Sequence, residues 1–342
     1  MRNKQIDFLR FLGLSLIILA HCNPSGMIFQ LRNFDVPLMV LMSGVSYGLS
    51  SGISTGYFEY IWKRIKRLAI PCWIFLTLYF ITIKVFNLAI DKTDINHILL
   101  SYFFISGIGY VWIIRIFLTV AILAPVISKV SNYLQSDRSF LLAWLGALLI
   151  YQLLIQLIHF YVHGGLPSIM IGDILLPTIG YSLVFALGLR LMRFSPKTVF
   201  WIATSSLGVF IIYCAYLYRH LGHFEATQNY KSPPGIYYLS YSIALSLISW
   251  LVMKPLLKNT ESGFIEKIWL FIAQNTLWIY FWHIVFLKIW PFGQFNLLTN
   301  YLGIYLAAIV TYLIQFVIIR RFILPRIYNV SLKKNLQSFL IG

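Results

Sequence analysis

The stretch IDFLRFLGLSLIILAHCN, residues 6–23, is apolar enough for a bilayer except at Arg10 and His21. Of the ten residues between them, only Gly13 and Ser15 are not strongly apolar. A cation inside hydrocarbon costs roughly 2.5–3.5 kcal/mol on insertion scales unless a partner or water offsets it. The two residues lie eleven positions apart. At ~100° and ~1.5 Å per residue, that spacing returns them to within about 20° of one helix face, roughly 16 Å apart along the axis. Asp7, one turn before Arg10, is placed to pair with it. A snorkelling arginine or an interfacial histidine accounts for either residue alone. Two ionisable residues on one stripe point instead to a functional interior face.

Working outward, the whole chain has the same character. Hydrophobic residues make up 59% of the 342 and charged residues 11%, a balance that no water-soluble fold of this length carries. Apolar stretches long enough to cross a bilayer recur at 8–27, 34–50, 69–89, 110–128, 139–160, 174–193, 198–218, 236–256, 267–288 and 302–320, with Tyr and Trp at several ends. The expected fold class is all-α, a polytopic integral membrane protein of about ten transmembrane helices with both termini cytoplasmic. The net charge of +17 fits that topology. With cytoplasmic termini, nineteen of the 27 Lys and Arg residues fall inside and six outside, the positive-inside asymmetry. The basic excess is therefore read as topology, and no nucleic-acid partner is expected. Residues 1–342 read as one membrane domain, with 90–109 as a re-entrant or interfacial piece.

Four further places carry candidate chemistry. In WKRIKRLAIP, residues 62–71, Arg64 and Arg67 stand one turn apart ahead of Pro71. A topogenic loop explains their charge, whereas a polyphosphate clamp explains the forked guanidinium groups. Arg115 lies inside an apolar span, with Trp112 three residues before it on its face. His283, in WIYFWHIVF, is either a packed core histidine or one facing a polar interior. HFYVH offers His159 and His163 at i, i+4, but without a Glu motif no metal site is expected there, nor at His220 and His223. Cys22, Cys72 and Cys214 are scattered in apolar context, which indicates neither a disulfide framework nor a metal cluster.

Taken together these segments resemble the membrane acyltransferase-3 family, bacterial integral-membrane O-acyltransferases of cell-surface and exported glycans. The Arg10 and His21 pair, separated by ten residues in the first span, is similar to the family's most diagnostic mark. VPLMVLMSG resembles the VPxFFxxSG segment and ends on Ser43 and Gly44; Met39 and Val40 stand where the family carries a Phe pair. KRIKRLAIP is similar to the basic RxxR segment, giving Arg64 and Arg67. VWIIRIFLTVAILAP resembles WFLRxL, giving Trp112 and Arg115, and LWIYFWHIVF resembles the late YxxH segment, giving His283. YKSPPGIYY is similar to the Pro-Pro lead-in of a late span.

The resemblance implies a cytoplasmic acyl-CoA donor, most often acetyl-CoA, used as co-substrate with no permanently bound cofactor. It implies a hydroxyl acceptor on a lipid-linked or exported sugar, and a place in the bacterial cytoplasmic membrane. His21 is then the expected general base, with His283 as the other catalytic candidate. Arg10 or Arg115 would meet the oxyanion or the donor phosphates, and Arg64, Arg67 and Trp112 complete the donor side. Asp7, Ser43 and Gly44 are expected as supports. The alternative reading is a secondary transporter of a small polar solute, which would also bury Arg and His but is expected to show inverted repeats and broken helices.

Overall fold

The computed structural model describes residues 3–50, 56–161, 165–257 and 263–341. In chain order its helices are α1 (Lys4–His21), α2 (Gly26–Leu31), α3 (Asp35–Ser50), α4 (Tyr57–Val85), α5 (Ile95–Tyr102), α6 (Trp112–Tyr133), α7 (Asp137–Tyr161) and α8 (Gly165–Ser168). Then follow α9 (Leu176–Arg190), α10 (Pro196–Leu221), α11 (Ile236–Leu256), α12 (Phe264–Gln274), α13 (Thr276–Ile289), α14 (Leu297–Ile318) and α15 (Val330–Leu340). A π-helical turn (Ile169–Leu175) leads into α9, and the only bridge among the described residues is isolated, Lys231 to Pro234.

The all-α polytopic expectation holds. Among the described residues, seven helical stretches are long and apolar enough to cross a membrane, or eight if α12 and α13, bent by 83° at Asn275, count as one. The remaining two of the ten expected spans fall to α1 and α3. The first has only 18 residues and carries Lys4, Asp7 and Arg10, and the second has 16.

Two expected boundaries move. The first span ends at His21 rather than near residue 27, because Asn23 takes a positive φ of 57° and Pro24 follows; neither continues a helix. The basic segment 62–71 is no loop but part of α4, which starts at Tyr57. Glu59 and Lys63 pair at i, i+4 with 2.7 Å between them, and Lys66 lies over the Trp62 ring at 5.4 Å, so these three side chains find partners along the helix's own surface.

The chain divides into two compact units. The first comprises Met1–Gly13, Gly26–Ser54 and Thr119–Gly263; the second comprises Leu14–Ser25, Thr55–Leu118 and Phe264–Gly342. In the first unit α3 lies directly on α9. Gly44 and Gly188 leave room for each other's backbone: a Cβ on either would run into a carbonyl oxygen, of Phe185 or of Leu41, and a Cβ on Gly48 would stand 2.9 Å from that of Leu189. Small residues four apart permit such close approach between helices in a bilayer. Arg190 at the end of α9 is 2% exposed. Its guanidinium donates to Ser131 Oγ at 3.1 Å, to Asp137 at 3.3 Å and to the carbonyls of Ser131 and Leu134, capping the C-terminus of α6. At the start of α3, buried Asp35 accepts from Arg32 at 2.7 Å and from Lys231 at 3.4 Å.

In the second unit, Asp91 gathers three elements. It accepts from Tyr79 of α4 at 3.0 Å, lies 3.0 Å from Lys288 of α13, and lies 3.3 Å from His97 of α5. Burial pushes the Asp91 carboxyl up, but the Lys288 ammonium, the Lys92 amide and the Tyr79 hydroxyl outweigh it and hold the group below the usual aspartate range.

Two outcomes are expected. Gly188→Ala forces α3 and α9 apart at a contact with no side chain to give way, and should cost about 1–3 kcal/mol or more; the thermal midpoint and monodispersity of purified protein measure it. Asp91→Asn should lower the midpoint at neutral pH, with charged hydrogen bonds contributing roughly 1.5–3 kcal/mol each. Because the folded-state carboxyl titrates below its unfolded value, that contribution is complete above about pH 4 and is lost as the pH falls below it. The gap between wild type and Asp91→Asn should therefore close on acidification. A gap that stays constant down to acid pH would contradict the assignment.

Candidate active site

α1 is unbroken from Lys4 to His21, so the helical spacing of Arg10 and His21 is realised. Their surroundings differ. In the first unit, Arg10 Nη2 donates to Ser46 Oγ of α3 at 2.8 Å, and its Nη1 lies 3.9 Å from Asp7. Asp7 is nearly buried while the Arg10 side chain is 33% exposed. The expected i, i+3 pair is present, but Ser46 is the closer partner. Ser43 donates to the Met39 carbonyl at 3.0 Å, and Gly44 serves the α3–α9 contact already described.

In the second unit, α1 presents its last two turns to α13 and α14. Ser15 meets the Tyr305 hydroxyl at 3.0 Å. One and a half turns on, His21 Nδ1 lies 3.1 Å from Nε2 of His283, with the two rings stacked at 5.3 Å and 17° apart. The two histidines, far apart in sequence, are hydrogen-bonded. Tyr110 packs its ring edge-on to His21 at 4.8 Å, and the Tyr280 hydroxyl donates to the Tyr110 carbonyl at 2.6 Å.

Hydrogen-bond chemistry orders this pair. His283 Nδ1 bonds the Tyr280 carbonyl, which can only accept, so that nitrogen carries a hydrogen. In a neutral imidazole the other nitrogen is then an acceptor. His283 Nε2 must therefore take a hydrogen from His21 Nδ1, which leaves the lone pair on His21 Nε2. His283 is 0% exposed, whereas His21 is half-buried. The nitrogen with the lone pair therefore belongs to the less buried of the two rings. When His21 Nε2 accepts a proton, the imidazolium is stabilised through Nδ1 by a partner held by backbone, the arrangement of a base and its orienting group.

The other expected residues lie in the same unit. Trp112 opens α6, and Arg115 follows one turn later, 8% exposed. Arg115 Nη1 donates to the carbonyls of Phe104 and Ile105 at 3.0 and 3.1 Å. It thus holds a turn in which Phe104 takes a φ of 59°, a conformation that a bulky residue adopts only under constraint. On α4, the Arg64 guanidinium lies over the Tyr60 ring at 4.9 Å and Arg67 is exposed. Lys66, between them, donates to Asn335 Oδ1 of α15 at 3.4 Å.

His163 lies outside the described residues. His223 lies 3.2 Å from Glu225, and the His220 ring packs on Tyr216. Among the described residues, no three potential metal ligands converge.

Sequence reading missed Ser46, Tyr110 and Tyr280 as neighbours of the key side chains. Tyr280 carried a signal, since it is the tyrosine three residues before His283 in the YxxH-like segment. Ser46 and Tyr110 carried none.

Neither curated proteins nor solved structures yield a match. A family model described as an acyltransferase domain, of the acyltransferase-3 group, matches residues 3–320. That match takes in α1 with Arg10 and His21, the Arg64 and Arg67 turn of α4, Arg115 and His283, and so nearly the whole chain: it belongs to the membrane acyltransferase-3 family and is a membrane acyltransferase.

Proposed function

We propose that the protein moves an acyl group, in the first instance acetyl, from cytoplasmic acyl-CoA to a hydroxyl of a cell-surface or exported glycan in the bacterial cytoplasmic membrane. The observation that carries this reading is the His21–His283 hydrogen bond, with a buried, backbone-held imidazole behind a half-buried one. His21 Nε2 takes the proton of the acceptor hydroxyl as the oxygen attacks the thioester carbonyl. The C–S bond then breaks, and the imidazolium returns the proton to the departing CoA thiolate. The products are an ester and free CoA thiol, with no net proton change. Arg64 and Arg67 bind the phosphates of the donor. Arg10, held by Ser46 and Asp7 but one-third exposed, offers a positive group for an anionic part of a substrate.

General-base catalysis contributes ~10²–10⁴-fold, so His21→Ala should lower turnover by about that factor with the protein still folded. His21→Gln keeps hydrogen-bonding capacity but cannot take a proton, and should be nearly as inactive. His283→Gln offers an amide oxygen to His21 Nδ1 and should be milder, losing roughly tenfold. Transfer of label from radiolabelled acetyl-CoA in membrane vesicles of the protein's own cells, which carry their own acceptor, measures all three. An active His21→Gln beside an inactive His283→Ala would reverse the two roles.

Neutralising both Arg64 and Arg67 to Gln should raise the donor KM tenfold or more, since a charged phosphate contact is worth roughly 1.5–3 kcal/mol. An unchanged donor KM would remove the clamp.

A further inference from the structure

The residues after Ile318 lie at the edge of the matched segment, and α15 lies wholly beyond its end at 320. α15 is nonetheless bound into the second unit by polar contacts more specific than a loosely lying amphipathic helix needs. The last carbonyls of any helix lack intrahelical donors. Here three consecutive ones are each met by a side chain of α13 or α14. Trp278 Nε1 donates to the Phe339 carbonyl at 3.1 Å, Gln315 Nε2 to that of Leu340 at 2.7 Å, and the Tyr312 hydroxyl to that of Ile341 at 2.9 Å. Ile341 also packs with Ile319 and Leu324 in a small apolar cluster.

The same side chains reach the helix that carries His283. Gln315 Oε1 accepts from Trp282 Nε1 at 2.6 Å, and Trp282 is the residue next to His283. The Tyr312 hydroxyl is also 2.6 Å from Asn275 Oδ1, at the sharp bend where α12 gives way to α13. Trp278 itself stands on α13. That helix is therefore tied to the end of α15 at Trp278 and, through Gln315, at Trp282.

We propose that α15 is a positioning strut for His283, with Gln315 as the positioning residue that relays its docking to α13; this rests on the reading of the His21–His283 pair as the catalytic base. The lever is short. An imidazole nitrogen lies about 5–6 Å from its helix axis, so a rotation of α13 by about 20° would shift it by about 2 Å. That is enough to break a hydrogen bond of 3.1 Å. Without the Leu340 carbonyl, Gln315 must turn to find another acceptor in an apolar surrounding, and its bond to Trp282 is lost or redirected.

The test uses full-length protein in the vesicle assay with radiolabelled acetyl-CoA. Gln315→Leu should lower kcat about 10- to 100-fold, as displacements of an ångström remote from the chemistry do, a larger effect than on the donor KM, which moves only through the Lys66 contact of α15. Tryptic cleavage at Lys333 and Lys334 should quicken as α15 loosens. The deciding measurement is the double-mutant cycle with His283→Ala, which makes no bond to His21: in that background Gln315→Leu should cost less than about threefold more. Trp278→Phe keeps the ring, removes the donor, and replaces Gln315→Leu if that variant does not fold. Fully additive losses, or an α15 released with kcat unchanged, would overturn the strut. A wild type that transfers no label would instead remove the transferase reading, while the tryptic comparison still reports the docking.

Discussion

Hydrocarbon offers no hydrogen-bond partners, so every polar group placed in it must be satisfied by the protein itself. Much of this structure follows from that requirement. Arg190 is spent on the carbonyls ending α6, Arg115 on the turn after α5, and Gln5 on the Trp250 carbonyl at 2.6 Å. Each is a side chain reaching the backbone of another element, so each fixes position as well as satisfying a charge or an amide. The His21–His283 pair obeys the same rule. A fully buried imidazole is tolerated because one nitrogen meets a carbonyl and the other meets a histidine.

In the proposed mechanism, the order of hydrogen bonds in this pair decides which nitrogen takes the proton. Along the chain from the Tyr280 carbonyl through His283 to His21, each donor has its acceptor as far as His21 Nδ1. The polarity of the chain is set by the one member that cannot reverse, the backbone carbonyl. A polar network anchored in this way presents one tautomer, and so one basic atom.

The fold class and the rough places of the spans were legible in the sequence because hydropathy and helical period are local properties. Arg10 and His21 stood out for the same reason: an ionisable residue in an apolar run is conspicuous without any knowledge of its partner. The rest depended on distance. That His283 bonds His21 is a pairing across 262 residues, for which no local period exists. Charge counting treated Arg190, Arg32 and Lys231 as topological markers, whereas each is buried and bonded. Local signals did exist for some of what was missed. Asn23 and Pro24 mark the end of α1, Glu59 and Lys63 support the early start of α4, and Tyr280 stands one turn before His283.

The contact between α3 and α9 has a mechanical meaning of its own. Most helix interfaces are made of side chains, which can change rotamer and let two helices slide or roll in small steps. Where Gly44 and Gly188 meet, backbone rests on backbone, and nothing in the contact is adjustable. Such a seam is stiff: it holds or it parts. Within the first unit, then, α3 and α9 behave as one double-width beam, and Ser46, which carries Arg10, is mounted on it two residues from the seam.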